Sequence, residues 1–320
     1  MITVFTPAYN RAHLLPRLFE SLCKQTYRDF EWVIVDDGSV DDTRSVVEQF
    51  SVLGFEFSGN LTQPLNTQHS TLKTNLNTQH STPNTNSIRY FYQENGGKHR
   101  AINRGVKEAK GELFFIVDSD DLLAPFALER IEYHYGSVRC DRHFSGVSGM
   151  RAFPNNKRIG GELSFDVKDL SPLDYWFKLK IVGDSAEVYR TEIIRKFPFP
   201  EIDGEKFCPE ALVWYRIAKA GYKLRFFNEK IYICEYLPDG LTAKITKIRV
   251  ESPIASAMTY WELYYSSVNL KARLRAGISF WRFYYHIKSP YHFEKKPLFL
   301  LSPLGWMMYF NDRKKIYGRV

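Results

Sequence analysis

The chain has few cysteines, no C-x-x-C spacing and no apolar run long enough to cross a lipid bilayer. Its four cysteines in 320 residues are Cys23, Cys140, Cys208 and Cys234. Their scatter argues against a zinc site or a disulfide scaffold and fits a reducing compartment. The longest nearly apolar run of the C-terminal part, Pro297–Phe310, is too short to span a membrane. The amino end enters a strand-like run at once, so we expect no secretory signal and a cytoplasmic protein.

Acidic residues are outnumbered by basic ones, 36 against 44, and the imbalance is confined to one end of the chain. Residues 244–320 contain 14 Lys and Arg against 4 Asp and Glu, whereas the first 243 residues contain 30 against 32. We therefore expect a main domain over 1–243 and a basic, aromatic, helical C-terminal extension over 244–320. Basic residues among Trp and Tyr favour peripheral contact with the inner face of the cell membrane, or ordinary helix packing. Without a recognition motif, we expect no nucleic acid as a partner.

One segment of the first region lacks the residues that build a core. Between Phe57 and Ser87, the sequence L-N-T-Q-H-S-T occurs twice among Asn, Thr, Gln and Ser residues. Such a composition cannot bury enough surface to offset the entropy of ordering. Two copies are also too few for a stacked solenoid. We predict that 57–87 is a disordered insertion without a catalytic role.

The rest of the first region alternates short apolar runs with amphipathic segments. The runs Ile2–Thr6, Glu31–Val35, Ile88–Tyr92 and Leu113–Val117 are typical of strands, and the last is typical of a strand buried on both faces. Helical periodicity between them indicates βαβ units. The order predicts an α/β protein with a mostly parallel central sheet flanked by helices.

Two local signals mark the ends of helices, and two apolar runs add further strands. Asn10 is a candidate N-cap for the first helix, and Gly111 is a candidate stop after the third. Near the end of the domain, Lys223–Phe227 and Lys230–Tyr236 indicate two short strands.

Three acidic residues, Asp118, Asp120 and Asp121, directly follow the buried run. Ligands bind at the carboxyl ends of parallel strands, and residues two apart in extended chain point the same way. Converging carboxylates repel each other unless a cation lies between them. Oxygen ligands suit Mn²⁺ or Mg²⁺, usually together with substrate phosphates. A solvated acidic turn that caps a helix is the alternative at this point.

Four motifs at consistent positions now carry a resemblance to a known family. They are T-P-A-Y-N at 6–10, V-D-D-G-S at 35–39, N-G-G-K-H-R-A-I-N-R-G at 95–105 and V-D-S-D-D at 117–121. Together they resemble the family 2 glycosyltransferases over roughly residues 1–243. The resemblance implies the GT-A fold of nucleotide-diphospho-sugar transferases and an inverting hexosyltransferase. Its donor would be a nucleotide-diphosphate sugar and its acceptor a hydroxyl of a saccharide or lipid-linked molecule, in surface polysaccharide or glycolipid synthesis.

The resemblance also implies roles for individual residues around the nucleotide. Thr6, Ala8 and Tyr9 form the nucleoside-binding turn, with the Tyr9 ring against the base. Asp37 accepts a hydrogen bond from an N–H of the base, and Lys98 lies near the nucleotide.

In the acidic cluster, the family's D-x-D falls on Asp118 and Asp120, which the resemblance implies contact ribose and metal-bound diphosphate. The second of them, Asp120, is the expected metal ligand, and Asp121 shares the diphosphate role.

The general base is expected at Glu210. An acceptor hydroxyl must lose its proton as it attacks, which requires a carboxylate within hydrogen-bond reach. The family usually has Glu-Asp six or seven residues before an Arg-Leu-Ala helix core, and here R-I-A at 216–218 follows Pro209-Glu210. Glu205 and Asp203 are rivals for the base, and Glu205 and Asp184 are candidate contacts to acceptor or diphosphate.

Two other functions stay open from the sequence. Pro209 departs from the family pattern, so the chain is alternatively a catalytically inactive nucleotide-sugar-binding protein. A nucleotidyltransferase would share the parallel sheet and the metal acids. It should carry a Gly-rich, basic loop after its first strand, and P-A-Y-N at 7–10 lacks one. The sugar, the nucleotide, the acceptor and the oligomeric state are not determined by these patterns.

Overall fold

The fold is built on one mixed sheet, which contains nine strands in the part of the chain that the structure describes. The structure is a computed structural model, and it describes residues 1–53, 87–181, 183–234 and 241–318. The insertion at 57–87 lies outside these ranges apart from Ser87, so its predicted disorder stays a prediction. The strands are β1 (Ile2–Ala8), β2 (Phe30–Asp37), β3 (Ile88–Gln93), β4 (Leu113–Ile116), β5 (Leu122–Leu123), β6 (Phe144–Ala152), β7 (Val167–Leu170), β8 (Ser185–Arg190) and β9 (Lys223–Ile233).

One half of the sheet is parallel and confirms the predicted βαβ units. The strands lie in the order β3-β2-β1-β4, and each pairs in parallel with its neighbours in this group. At the centre, Ile2 of β1 is in register with Phe30 on one side and with Leu113 on the other. The carboxyl ends of all four strands therefore meet at one edge.

The other half of the sheet corrects the expectation of a mostly parallel arrangement. β8 runs antiparallel to both β4 and β6, and β5 and β7 run antiparallel to β9. Beyond the first group, only β6 and β9 pair in parallel among the described strands. An apolar run reads the same in either direction, so the sequence pattern located strands without showing their orientation.

β9 is one continuous strand where the sequence indicated two. The polar residues Asn228 and Glu229 interrupt its apolar pattern, but both have partners. The Asn228 amide donates to the Asp166 carbonyl oxygen at 2.7 Å, and the Glu229 carboxylate pairs with Arg130 and His134. Register shifts between β6 and β9 accommodate the irregularity. Residues 235 and 236 of the second predicted strand lie outside the described ranges.

Helices cover both faces of the sheet and produce two core layers. They are α1 (Leu15–Cys23), α2 (Thr43–Leu53), α3 (Lys98–Glu108), α4 (Ala127–Gly136), α5 (Thr191–Ile194), α6 (Ala211–Lys219), α7 (Leu241–Glu251), α8 (Pro253–Tyr264), α9 (Leu270–Tyr284) and α10 (Ser302–Tyr317). Leu113, Phe115 and Val117 pack with α1, α2 and α4 on one face. Phe114 and Ile116 pack with α3 and α6 on the other. The run Leu113–Val117 is thus buried on both faces, as predicted.

Two of the predicted end signals act differently from expectation. α1 begins at Leu15, and Asn10 instead joins two strand ends: its side-chain oxygen accepts from the Val40 amide at 2.9 Å, and its own amide donates to Ser39 Oγ at 2.8 Å. Gly111 follows α3 by three residues and does not cap it. A Cβ on Gly111 would lie 2.4 Å from the Thr3 backbone nitrogen, so glycine is required here by the close approach of β1.

The C-terminal part is helical, as predicted, and it is packed against the sheet domain. α7 crosses the predicted boundary between residues 243 and 244, and α8 packs on α6. A separate apolar cluster joins α8, α9 and the segment that follows them, and includes Ala257, Phe280, Trp281, Phe283 and Phe293. In the described ranges, none of the helices combines the length and apolarity needed to cross a membrane.

Candidate active site

A cavity of about 990 Å³ opens at the carboxyl edge of the four parallel strands. The segments that follow β1, β2, β3 and β4 line one side of it, as the sequence predicted. The opposite side comes from β6, β8, α6 and α7. The cavity therefore lies where ligands of open α/β sheets bind, but half of its wall comes from strands and helices outside the predicted βαβ units.

The turn after β1 brings Ala8 and Tyr9 to the cavity, as expected for a nucleoside-binding turn. The Tyr9 ring is exposed at the cavity wall and not packed in the core. Thr6 differs from the expectation: it is fully buried, and its hydroxyl accepts a hydrogen bond from the Trp32 indole nitrogen at 3.0 Å. The Thr6 side chain is therefore not available to a ligand. Arg11, which the sequence analysis did not select, also lines the cavity.

Asp37 lines the cavity at the end of β2, and its carboxylate is fully occupied by the chain itself. Oδ1 accepts from the Gln93 side-chain amide at 2.7 Å and from the Gly96 amide at 3.0 Å. Oδ2 accepts from the Asn95 side-chain amide at 3.2 Å and from the Gly97 amide at 2.7 Å. A carboxylate offers about four acceptor positions, so a hydrogen bond to a base must replace one of these contacts.

Gly97 is required by this arrangement because it connects Asp37 to α3. Its φ angle is 98°, and an added Cβ would lie 1.9 Å from the Lys206 carbonyl oxygen. Only glycine adopts this conformation in this space. The next residue, Lys98, begins α3 and points its ammonium into the cavity.

The acidic cluster after β4 also lines the cavity, and its members interact electrostatically. Burial and the Asp118 charge raise the pKa of Asp120 above its usual value. Burial, Asp118 and Asp120 together raise the pKa of Asp121 to about 7. Asp118 behaves in the opposite way: burial opposes its charge, but Lys98 and Arg151 hold its pKa below the usual value. In this cluster, nearby positive charges stabilise the Asp118 carboxylate, whereas burial and the neighbouring carboxylates destabilise the charged forms of Asp120 and Asp121.

Lys98 joins the two sides of the cavity. Its Nζ lies 2.6 Å from Asp118 Oδ1 and 2.8 Å from Glu210 Oε1. Burial opposes the ammonium charge, but Asp118 and Glu210 outweigh it and hold the pKa of Lys98 above its usual value. One cation therefore brings the expected nucleotide-binding acid and the expected base to the same part of the cavity.

Glu210 lies directly before α6 and lines the cavity, whereas its predicted rival Glu205 does not. Both carboxylate oxygens of Glu205 accept backbone hydrogen bonds at the start of α8, from Ile254 at 2.6 Å and from Ala255 at 2.9 Å. This position corrects the expectation that Glu205 contacts acceptor or diphosphate, or competes as the base. Asp184 is exposed and lines the cavity, as expected for a ligand contact.

Two charged residues of the wall, Arg151 and Glu187, were missed by the sequence analysis. Arg151 lies on β6, above the Tyr232 ring at 4.3 Å, and its Nε donates to the Ser185 carbonyl oxygen at 2.9 Å. Glu187 lies on β8, and its carboxylate forms no hydrogen bond or ion pair to another described residue. Burial raises the pKa of Glu187 to about 8 against the opposing effect of Arg151. A lone acid in the apolar run A-E-V-Y was the signal that could have identified it.

The far wall of the cavity is aromatic and apolar. Trp176, Ile181 and Tyr215 line it, and the Trp176 and Tyr215 rings meet edge to face with centroids 6.0 Å apart. Ile248 and Glu251 of α7 complete the same side. Flat apolar rings beside polar groups can bind a saccharide, which has both C–H faces and hydroxyls, so this wall is suited to an acceptor.

Comparison with known proteins identifies the family. The family model described as Glycosyl transferase family 2 matches residues 3–61 and 71–137. Glycosyltransferase GlyG of Streptococcus pneumoniae serotype 4 is 30% identical over 245 residues, which cover 73% of this chain and 70% of GlyG. The chain belongs to glycosyltransferase family 2. It is therefore a transferase that moves a sugar, as the four motifs implied.

Solved structures confirm the GT-A fold of this family 2 glycosyltransferase. The complex of Staphylococcus aureus TarS 1-349 with UDP-GlcNAc has a TM-score of 0.59 at 16% identity, and the match covers 98% of this chain and 80% of that chain. The mannosyltransferase PcManGT from Pyrobaculum calidifontis, in complex with GDP-Man and Mn²⁺, has a TM-score of 0.53 at 16% identity and is covered to 76%. A second crystal structure of S. aureus TarS is matched over 89% of this chain, and the match covers 43% of that TarS chain.

The donor atoms at the acidic cluster fit a divalent metal. Asp118, Asp120 and Asp121 supply oxygen ligands only, and two of the three have raised pKa values that a nearby cation would lower. Among the described residues, no three His, Cys, Asp or Glu side chains are close enough to hold an ion by themselves. Mg²⁺ sites commonly use one or two carboxylates plus substrate phosphates, so this ligand set fits an ion completed by the diphosphate.

Proposed function

We propose that this family 2 glycosyltransferase transfers a hexosyl group from a nucleotide-diphosphate sugar to an acceptor hydroxyl, by a single inverting displacement with Glu210 as the base. The observation that supports it most is the position of Lys98 between Asp118 and Glu210, at 2.6 and 2.8 Å. This position supports a site in which the acid expected at the nucleotide and the acid expected at the acceptor act on one bound molecule.

The donor would occupy the side of the cavity formed by the parallel strands. Tyr9 is exposed there and offers a ring to the base, and the chain around Asp37 surrounds the same end of the cavity. Similarity in fold to proteins solved with UDP-GlcNAc and with GDP-Man supports a nucleotide-sugar donor. Lys98 and Arg11 contribute positive charge near the acidic cluster, which favours an anionic diphosphate.

In the proposed reaction, the acceptor oxygen bonds to the anomeric carbon while the bond from that carbon to the diphosphate oxygen breaks. Glu210 accepts the proton of the acceptor hydroxyl, and the nucleoside diphosphate leaves with the electron pair. Lys98 holds the Glu210 carboxylate at the cavity before the acceptor binds. A proton-accepting carboxylate in reach of the attacking hydroxyl contributes roughly 10²- to 10⁴-fold in rate.

A divalent metal, Mn²⁺ or Mg²⁺, is part of the proposal. Asp120 would hold it together with Asp118 or Asp121, and its chemistry would be to neutralise the charge that develops on the leaving diphosphate. The raised pKa values in this cluster, caused first by burial and then by mutual repulsion, support a cation there. The Mn²⁺ in the PcManGT complex, a protein of the same fold, agrees with it.

The acceptor side of the proposal is a saccharide or a lipid-linked saccharide, in surface polysaccharide or glycolipid synthesis at the inner face of the cell membrane. The aromatic wall of Trp176 and Tyr215 supports a sugar acceptor. TarS of Staphylococcus aureus, a poly(ribitol-phosphate) β-N-acetylglucosaminyltransferase, is 26% identical over 214 residues, and its name agrees with a polymeric acceptor. That match covers 66% of this chain and 30% of TarS.

The experiment is donor turnover by the full chain with Mn²⁺, measured as released nucleoside diphosphate from UDP-GlcNAc and GDP-Man. We expect Glu210→Gln to lower turnover by roughly 10²- to 10⁴-fold while nucleotide binding persists. Asp120→Asn should weaken the binding of the donor with Mn²⁺ more than the binding of the nucleoside. Glu192→Gln, an exposed glutamate away from the cavity, is the matched control.

Each outcome separates the proposed function from its alternatives. Tight binding of a nucleotide sugar without wild-type turnover would indicate a binding protein. Release of pyrophosphate when the protein is given a nucleoside triphosphate and a sugar 1-phosphate instead would indicate a nucleotidyltransferase. Full turnover in Glu210→Gln would exclude this residue as the base.

A further inference from the structure

The second half of the C-terminal extension carries an exposed apolar surface. We define the Leu298–Phe310 patch by its exposed members, which are Leu298, Phe299, Leu300, Leu304, Trp306, Met307 and Phe310. Phe299 and Leu300 are 74% and 78% exposed, and Met307 is 56% exposed. These residues lie in a short turn and on the helix that follows it, where the Trp306 and Phe310 rings meet edge to face with centroids 4.3 Å apart, so we treat them as one patch. A contiguous apolar area of this kind on a protein surface indicates an interaction site.

Packing of the opposite face of α10 fixes which side chains are exposed. The Asp312 carboxylate accepts hydrogen bonds from Nε and Nη2 of Arg282, both at 2.5 Å, and these bonds connect α10 to α9. Gly305 lies against α9 so closely that a Cβ would be 2.5 Å from the Trp281 Cβ. The Trp281 indole donates to the Leu298 carbonyl oxygen at 3.3 Å. The patch is therefore held outward by the folded structure and cannot turn inward without breaking these contacts.

Lysines flank the patch on both sides in sequence. Lys295 and Lys296 precede it, and Lys314 and Lys315 follow on the exposed side of α10. Positions 303, 307, 310 and 314 recur at helical spacing, so Lys314 continues the stripe that contains Met307 and Phe310. Residues 244–320 carry 14 basic against 4 acidic residues, which makes the surroundings of the patch positive.

We propose that the Leu298–Phe310 patch docks on an anionic lipid surface, with α10 lying in the membrane interface. Trp, Phe and Leu side chains beside lysines are the composition of helices that bind there. Each Lys or Arg near an anionic leaflet adds attraction. Self-association through the same patch would bring two lysine-rich surfaces together, and this repulsion favours an anionic partner. The proposal deepens the membrane location in the proposed function and rests on it, but it requires none of the transfer chemistry.

The same extension reaches the cavity, so docking would orient the cavity relative to the lipid. α10 touches α7, and Ile248 and Glu251 of α7 line the acceptor side. A lipid-linked acceptor held at the membrane would then approach the wall formed by α7. This geometry assigns the C-terminal extension to positioning and leaves the chemistry to the sheet domain.

The test is co-sedimentation of the full chain with vesicles of phosphatidylcholine alone and of phosphatidylcholine mixed with phosphatidylglycerol. We expect binding to the mixed vesicles that weakens with added salt. Replacing Lys314 and Lys315 together by Gln should weaken it about thirtyfold, since each basic residue contributes about 1 kcal/mol. Phe299→Ser should weaken it about tenfold or more, because the ring no longer enters the apolar layer. Release of nucleoside diphosphate in solution should not change in either variant.

Two matched controls probe general loss of charge and of aromatic surface. Lys107→Gln removes an exposed lysine of α3, and Tyr133→Ser removes an exposed ring of α4. Both should bind vesicles as the wild type does. Equal binding to neutral and anionic vesicles, or variants of the patch that bind normally, would overturn the proposal. A homodimer that Phe299→Ser dissociates, together with no vesicle binding by the wild type, would assign the patch to a second copy of the chain.

Discussion

Replacing Lys98 by Met removes the cation between the acids of the cavity, and the structure gives the size of the effect. Two hydrogen bonds to charged groups are lost, at 2.6 Å to Asp118 and at 2.8 Å to Glu210. Fully buried, each would stabilise the fold by about 1.5–3 kcal/mol. The three side chains are 24–29% exposed, so water screens part of this energy. We expect Lys98→Met to lower the free energy of unfolding by about 2 kcal/mol near neutral pH.

The pH dependence of this loss has a definite sign. The folded pKa of Asp118 is depressed below 3.8 by Lys98 and Arg151 against burial, so its stabilisation is present above that pH and is lost as the pH falls through the folded value. The folded pKa of Lys98 is raised above 10.5, so its stabilisation is present below that pH and is lost at still higher pH. The difference in free energy of unfolding between wild type and variant should therefore be largest from about pH 5 to about pH 10 and should decrease in acid.

Urea denaturation across this range measures the effect, followed by tryptophan fluorescence and circular dichroism. The matched control is Lys107→Met, an exposed lysine on the same helix with the same change in side chain. It should change the free energy of unfolding by less than about 0.5 kcal/mol. A loss in Lys98→Met no greater than in the control, or a loss that does not change between neutral and acidic pH, would refute the interpretation of this ion pair.

Three further changes have expected outcomes of their own. Burial raises the folded pKa of Glu187 to about 8 from a usual 4.5, so the free energy of unfolding of the wild type falls as the pH rises between these values. Glu187→Gln removes this titration. In urea melts, the stability of the variant relative to wild type should therefore grow over the same interval. Glu205→Ala leaves two buried amides of α8 without an acceptor and should cost about 3 kcal/mol, and slower proteolysis of the C-terminal part in the variant than in wild type would contradict it. Gly97→Ala places a methyl group 1.9 Å from the Lys206 carbonyl oxygen and disturbs the amides that bind Asp37. We expect the loss in nucleotide-binding free energy, measured by calorimetry, to exceed the loss in free energy of unfolding.

Local patterns were sufficient for the parallel half of the fold. Apolar runs of the right length located β1 to β4, and the unbroken apolar run Leu113–Val117 predicted burial on both faces. The acids at strand ends then had to meet at one edge, because parallel strands place their carboxyl ends together. Asp120 was found from its position after β4, and Tyr9 and Lys98 were found from the resemblance to the family; all three line the cavity.

Such patterns could not predict which groups the polar side chains would bond to. The contacts that occupy the Thr6 hydroxyl and the Glu205 carboxylate come from Trp32 and from α8, which lie far away in sequence. The same is true of Asn228 and Glu229, which interrupt the apolar pattern between the two predicted strands. Their partners come from Asp166, directly before β7, and from α4. The residue type determines what a side chain can bind, but only the folded structure determines which groups lie within hydrogen-bond distance of it.

By itself, the sequence determined the strand-and-helix order of the first half, the edge at which ligands bind and the acids gathered there, because these follow from periodicity and from chain direction within βαβ units. The tertiary structure alone decided the antiparallel half of the sheet, the Lys98 bridge between Asp118 and Glu210, and the entry of Arg151, Glu187 and α7 into the cavity wall. These depend on contacts between segments far apart in sequence, and such contacts exist only once the two core layers have closed on the sheet.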